Sequence, residues 1–226
     1  MPLDIAPWLV WQLADSAFPS GGFAHSGGLE AAYQHGEVRS RAELSTFIET
    51  ALEQASLGML PLMLATWHEP DRASEFDDLC DAFTTNHVAN RASRLQGKAL
   101  MAAMSRVFFT TNSQSASAPL RVLPALPCSH LSTVFGLCLR RLEIAPKAAS
   151  RLFIFHHLRG LVAAAVRLGI IGPMDAQGLQ HSLADRAEVL SHTNEMQSMW
   201  DLTQVTPLID LWQGTQDRLY SRLFQS

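Results

Sequence analysis

The chain has 226 residues, with 17 Lys plus Arg against 21 Asp plus Glu for a formal charge of −4, and 47% of it is hydrophobic against 17% charged. A chain of this size and apolar content hides roughly 70% of its unfolded surface, which excludes disorder as a global description. The acidic balance, with a pI of about 6.1, argues against nucleic acid as a partner, because affinity for phosphate backbones comes from clustered Lys and Arg.

Ala, Leu, Met, Arg, Gln and Glu dominate long windows at 3.6-residue spacing, and period-two alternation is hard to find. The predicted fold is therefore all-α: a single-domain helical bundle over residues 1–226 with a C-terminal tail segment. Residues 6–17 read as a first helix, with Pro7 near its start, Leu9, Leu13 and Ala17 one turn apart, and a stop before Pro19. A glycine-rich break follows. Ser40 and Glu43 have capping-box spacing and open a helix whose stripe is Leu44, Phe47, Ile48, Ala51, Leu52 and Ala55. Phe76, Leu79, Cys80 and Phe83 mark the next helix, and Leu95, Ala99 and Val107 its continuation over 88–109, with a kink expected at Thr84-Thr85-Asn86. Residues 111–128 crowd Ser, Asn and three prolines into one irregular connection. Helices near 129–143 and 146–168 and a third after Gly172-Pro173 complete the body. In the tail, residues 206–226, Leu219 with Leu223 and Tyr220 with Phe224 fall on adjacent turns, with Arg218 and Arg222 between them. That pattern predicts a short helix with an apolar and a cationic side that orders on a partner; the alternative is a tail packed on its own core.

The apolar stretches 57–67 and 160–171 are interrupted by Pro61 and Arg167 and are too short for a membrane span of roughly 18 residues. The first basic residue is Arg39, which leaves no positive n-region, so a cytoplasmic protein with no membrane association is expected. Cys80, Cys128 and Cys138 read as reduced, mostly buried thiols. The two Gly-Lys and Pro-Lys contexts, Gly97-Lys98-Ala99 and Pro146-Lys147, are not P-loops, and G-x-S-x-G is absent, so no catalytic residues are assigned. The adjacent His156 and His157 point about 100° apart, and His181 with Asp185, at i, i+4 on one predicted helix face, has ligand spacing but reads equally as an ordinary surface pair, so no metal ligands are assigned either.

Residues 12–34, QLADSAFPSGGFAHSGGLEAAYQ, are the most unusual stretch. Gly21, Gly22, Gly27 and Gly28 permit left-handed or close-approach backbone on both sides of His25. The plain alternative is an internal turn in which His25 and Ser26 satisfy backbone groups and cap the next helix. This segment resembles the N-terminal signature of the urease accessory protein family UreF, and GLVAAAVRLGIIGPMDAQ and PLIDLWQGTQDRLYSRLFQS resemble that family's later helices and tail. The resemblance implies a non-enzymatic, dimeric assembly factor that pairs with UreD (UreH in some systems) and recruits the GTPase UreG, so that nickel reaches the urease apoprotein. It implies no cofactor of the chain's own, since nickel is handled by the complex. The expected partner-binding residues are Gly21, Gly22, Phe23, His25, Ser26 and Glu30 in the glycine-rich segment and Arg218, Tyr220, Arg222 and Phe224 in the tail. Two competing readings remain: a generic all-helical adaptor or regulator, and a small hydrolase in which His25 activates Ser20 or Ser26.

Overall fold

The computed structural model describes residues 6–109, 123–192 and 202–226. Its helices are α1 Ala6–Ala14, α2 Leu29–Gln34, α3 Arg41–Gln54, α4 Leu60–His68, α5 Ala73–Phe83, α6 His87–Phe108, α7 Leu131–Arg141, α8 Pro146–Arg167, α9 Pro173–Ser182, α10 Ala184–His192 and α11 Pro207–Gly214. No strand occurs among the described residues, so the fold is all-α as the periodicity predicts.

The predicted capping box forms: Ser40 Oγ accepts from the Glu43 amide at 3.2 Å while Glu43 Oε2 accepts from the Ser40 amide at 2.9 Å. Below it Leu44, Phe47, Ile48, Leu52 and Ala55 are buried. Pro61 does not break this rod. A π-helical turn at Ala55–Met59 joins α3 to α4, and the wider turn absorbs a residue that lacks an amide hydrogen and crowds the carbonyl four positions back.

Helix α7 lies against both α4 and α6 and is buried from Ser132 through Leu139. Two glycines permit that approach. A Cβ at Gly136 would overlap the Met63 carbonyl, and one at Gly97 would overlap the Ser129 carbonyl. Helix α8 packs on α1, α3 and α4 and carries α9 and α10. It ends in a Schellman motif, with Gly169 at φ 73°, its amide donating to Val166 O and the Ile170 amide donating to Ala165 O, both at 3.0 Å.

Two expectations change, and a third is only partly covered by the described residues. Leu95 and Val107 of α6 are exposed, and the face turned inward is Val88, Ala92, Gly97, Leu100 and Met104, because the chain before α7 comes too close for larger side chains there. Residues 111–122 of the expected connection lie outside the described residues, and its end, 123–128, is irregular. His181 closes α9 while Asp185 opens α10, so the two do not share one helix. Among the described residues no helix is long and apolar enough to cross a membrane.

Candidate functional site

Segments from opposite ends of the chain meet in one place. After α1 the glycine-rich segment passes through a 3-10 turn at Gly22–Ala24 and enters α2. Gly21, Gly27 and Gly28 have φ of 79°, 61° and 88°, left-handed values that a Cβ resists. Gly22, by contrast, is not left-handed. It opens the 3-10 turn, and a Cβ there would meet its nearest atom at an ordinary 3.7 Å.

The tail folds back onto this segment, with Glu30 of α2 as the pivot. Its buried carboxylate accepts from the Leu223 amide at 2.6 Å, the Phe224 amide at 3.2 Å and Gln216 Nε2 at 2.6 Å. Farther along, the Gln225 amide donates to Ala24 O at 2.8 Å, and the Ser26 amide and hydroxyl donate to Ser226 O at 2.6 and 2.9 Å. His25 Nδ1 lies 2.6 Å from Ser226 Oγ. Burial, then the charge of Arg91, lowers the His25 pKa from its ordinary 6.5, so the ring is held neutral. On the outer side Gln34 Nε2 donates to Ser221 O at 2.8 Å, and Arg91 of α6 grips Asp217 through both oxygens at 2.8 and 3.0 Å. Arg167, at the end of α8, closes the clasp. Its guanidinium carbon sits 3.8 Å from the Phe23 ring centroid and 4.1 Å from that of Phe224, and it donates to the Phe23 carbonyl. Beneath lies a groove of about 450 Å³ lined in part by Phe23, His25, Gln96, His156, Arg159 and Arg167.

The short helix predicted for the tail is not formed. After α11 comes a 3-10 turn at Gln216–Arg218, Leu219 is extended, and Glu30 takes the Leu223 and Phe224 amides that a helix would use internally. Tyr220 and Phe224 therefore do not share a face: Phe224 is buried at 4% and Tyr220 is fully exposed. Of the other predicted residues, His25, Ser26 and Glu30 are buried and engaged within the chain, Gly21 and Gly22 are half-buried, Phe23 is 75% exposed, and Arg218 and Arg222 are exposed. Arg222 Nη1 lies 3.2 Å from Asp217 Oδ1. The pairing of His25 with Ser20 or Ser26 that a hydrolase would need is not made, since Ser226 takes both the His25 ring and the Ser26 hydroxyl. Arg167 and Asp217 were missed in the sequence because each acts on residues far away along the chain.

The family model for UreF matches residues 38–184. The chain belongs to the UreF family. It is 35% identical over 219 residues to "Urease accessory protein F" of Oryza sativa subsp. indica, which covers 96% of this chain and 84% of the relative. The protein of the same description from Arabidopsis thaliana is 35% identical over 221 residues, 97% of this chain and 92% of the relative. "Urease accessory protein UreF" of Mesorhizobium japonicum is 29% identical over 238 residues, covering 100% and 98%. Membership of the UreF family gives the chain a urease accessory role. The family model covers the helical body, and the near-full-length relatives extend the similarity toward the clasp.

Inside that body is a cluster the sequence did not reveal. Asp81 of α5 and Cys128 and His130, just before α7, bring a carboxylate oxygen, a thiol sulfur and an imidazole nitrogen within 4.8 Å of one another. The sequence assigns no metal ligands, and these three donors come together only in the fold. Asp81 and His130 stand 49 positions apart, and spacing along the chain cannot show such a pair.

Proposed function

We propose that this chain is a non-catalytic scaffold of urease maturation that acts as a homodimer in the cytoplasm, pairs with UreD or UreH, and recruits UreG to the urease apoprotein. In this reading the GTP chemistry belongs to UreG and nickel is cargo of the assembly. The chain's own sequence supports this, since neither of its lysines stands in a phosphate-binding loop. The observation that carries the reading is the clasp: two terminal segments are locked together while Phe23, Tyr220 and Leu223 on them, and Leu208 and Leu211 on α11, remain exposed. Apolar groups presented on a rigid frame suit protein recognition, because little ordering entropy is left to be lost on binding.

The test is co-expression of urease with its accessory set, with and without this chain, reading nickel content and urea hydrolysis. Both are expected to fall to background without it. Leu211→Ala combined with Tyr220→Ala, both at exposed side chains, should reduce UreD co-purification about tenfold or more and leave the melting temperature nearly unchanged. Full nickel loading without the chain would refute the role, and unchanged co-purification would refute this surface.

A further inference from the structure

We infer that Asp81, Cys128 and His130 form a binding site for one divalent late transition-metal ion. His130 is fully buried, and its ring is fixed from both ends: Nδ1 lies 3.0 Å from Ser93 Oγ and Nε2 lies 3.1 Å from Asp81 Oδ1. Ser93 is suited to both states of such a site. A hydroxyl can donate to Nδ1 while Nε2–H donates to Asp81, or it can accept from Nδ1–H and leave the Nε2 lone pair for a metal.

The loop that carries two of the donors is braced from below. The fully buried Asp77, one helical turn before Asp81, accepts from the amides of Cys128, Ser129 and His130 at 2.7, 2.8 and 2.8 Å and from Thr133 Oγ1 at 2.7 Å. Ser129, between the two donors, sits at φ 61°, a left-handed conformation that costs free energy in a residue with a Cβ. Gly97 of α6 leaves room for that loop. Backbone strain, a buried carboxylate and a glycine thus all fix the position of Cys128 and His130, whose side chains turn toward Asp81 at the surface. Such support around a ligand set is how proteins hold metals.

Sulfur, imidazole and carboxylate together favour zinc, nickel or cobalt over magnesium or calcium, which take all-oxygen shells. Three protein donors leave at least one position open for water or another ligand, unlike a closed four-ligand structural site. Asp81 is 40% exposed on its side chain, which gives an ion access, while Asn90 and Arg94, at 2.9 and 3.8 Å from Asp81 Oδ1, are the neighbours that must give way. The inference rests on the donor set and stands apart from the urease reading.

Cobalt(II) titrated into the purified full-length chain serves as a probe, because a cobalt–thiolate bond gives a near-ultraviolet charge-transfer band. One equivalent per chain with that band is expected. Cys128→Ser should abolish the band, and Asp81→Asn should weaken binding about tenfold or more, the loss typical when a metal site is altered. Cys138→Ser, at a thiol buried elsewhere in the core, should leave both unchanged. Binding without a thiolate band, or a band that survives Cys128→Ser, would overturn the site, as would failure to bind cobalt, nickel or zinc in the folded chain. Normal binding by a chain that cannot support urease maturation would refute the proposed function and leave the site standing.

Discussion

A methyl group added at Gly28 would have to be carried at φ 88° and would meet Gln213 Cβ of α11 at 3.2 Å, whereas one added at Gly22 finds no atom nearer than 3.7 Å. The two positions look alike in the motif and differ in the clasp. Holding a residue with a Cβ in the left-handed region costs about 1 to 2 kcal/mol. In a chain of this length each kcal/mol moves the melting temperature by about 2 to 4 °C. Gly28→Ala is therefore expected to melt about 4 °C lower than the parent in a circular dichroism scan, and Gly22→Ala within about 1 °C of it. Equal losses at both positions would mean that the left-handed turn at Gly28 is not what the segment depends on. The sequence marks the glycines but not which of them is left-handed, because that is decided by where α11 and the tail lie.

At the scale of elements, what was legible was what local chemistry controls. Ser40 and Glu43 announce the start of α3, Pro146 and Gly169 bound α8, and the apolar spacing within α5 matches its buried Phe76 and Cys80. The inward face of α6 was misread because small residues, not the large Leu95 and Val107, are what a close neighbour requires. The tail was misread because its geometry is set by Glu30, nearly two hundred positions away. The Asp81, Cys128 and His130 set has no local pattern that would single it out. The tail's dependence on Glu30 is testable. Glu30→Gln replaces an acceptor of three donors with a group that presents its own amide hydrogens, and hydrogen bonds to a charged group are worth about 1.5 to 3 kcal/mol each. Arg218 and Arg222 should then become faster sites of trypsin cleavage, since local opening of the tail costs less. Deleting residues 219–226 should lower the melting temperature further, because Glu30 is left buried without its backbone donors. Unchanged trypsin protection in Glu30→Gln would show that the tail is held by something other than this carboxylate.

For the whole molecule, three histidines packed into it, His25 buried and His156 and His157 half-buried, shape how it responds to acid. Burial, helped by the charge of Arg159 and by His157, holds the His156 pKa down at about 3, and burial also lowers those of His157 and His25, against an ordinary value of 6.5. As pH falls below 6.5 the unfolded chain takes up protons at these rings that the folded chain refuses, so stability declines with acidification until about 3, where His156 charges in the fold as well. Carboxylates held below their ordinary range act in the same direction but later, whereas burial raises the Asp210 pKa and gives that group the opposite sign. Glu188, held at about 2 by Arg151 and then His192, contributes stability that is lost only as pH falls below the ordinary glutamate value of 4.5. The interval between 6.5 and 4.5 is therefore where the histidines contribute most. The melting temperature is expected to fall steadily across it. His156→Gln should flatten that fall even if it lowers the melting temperature at neutral pH, because an amide does not titrate. A melting temperature that stays level from 6.5 to 4.5 in the parent chain, or one that falls just as steeply in His156→Gln, would show that the acid response of the fold comes from other groups.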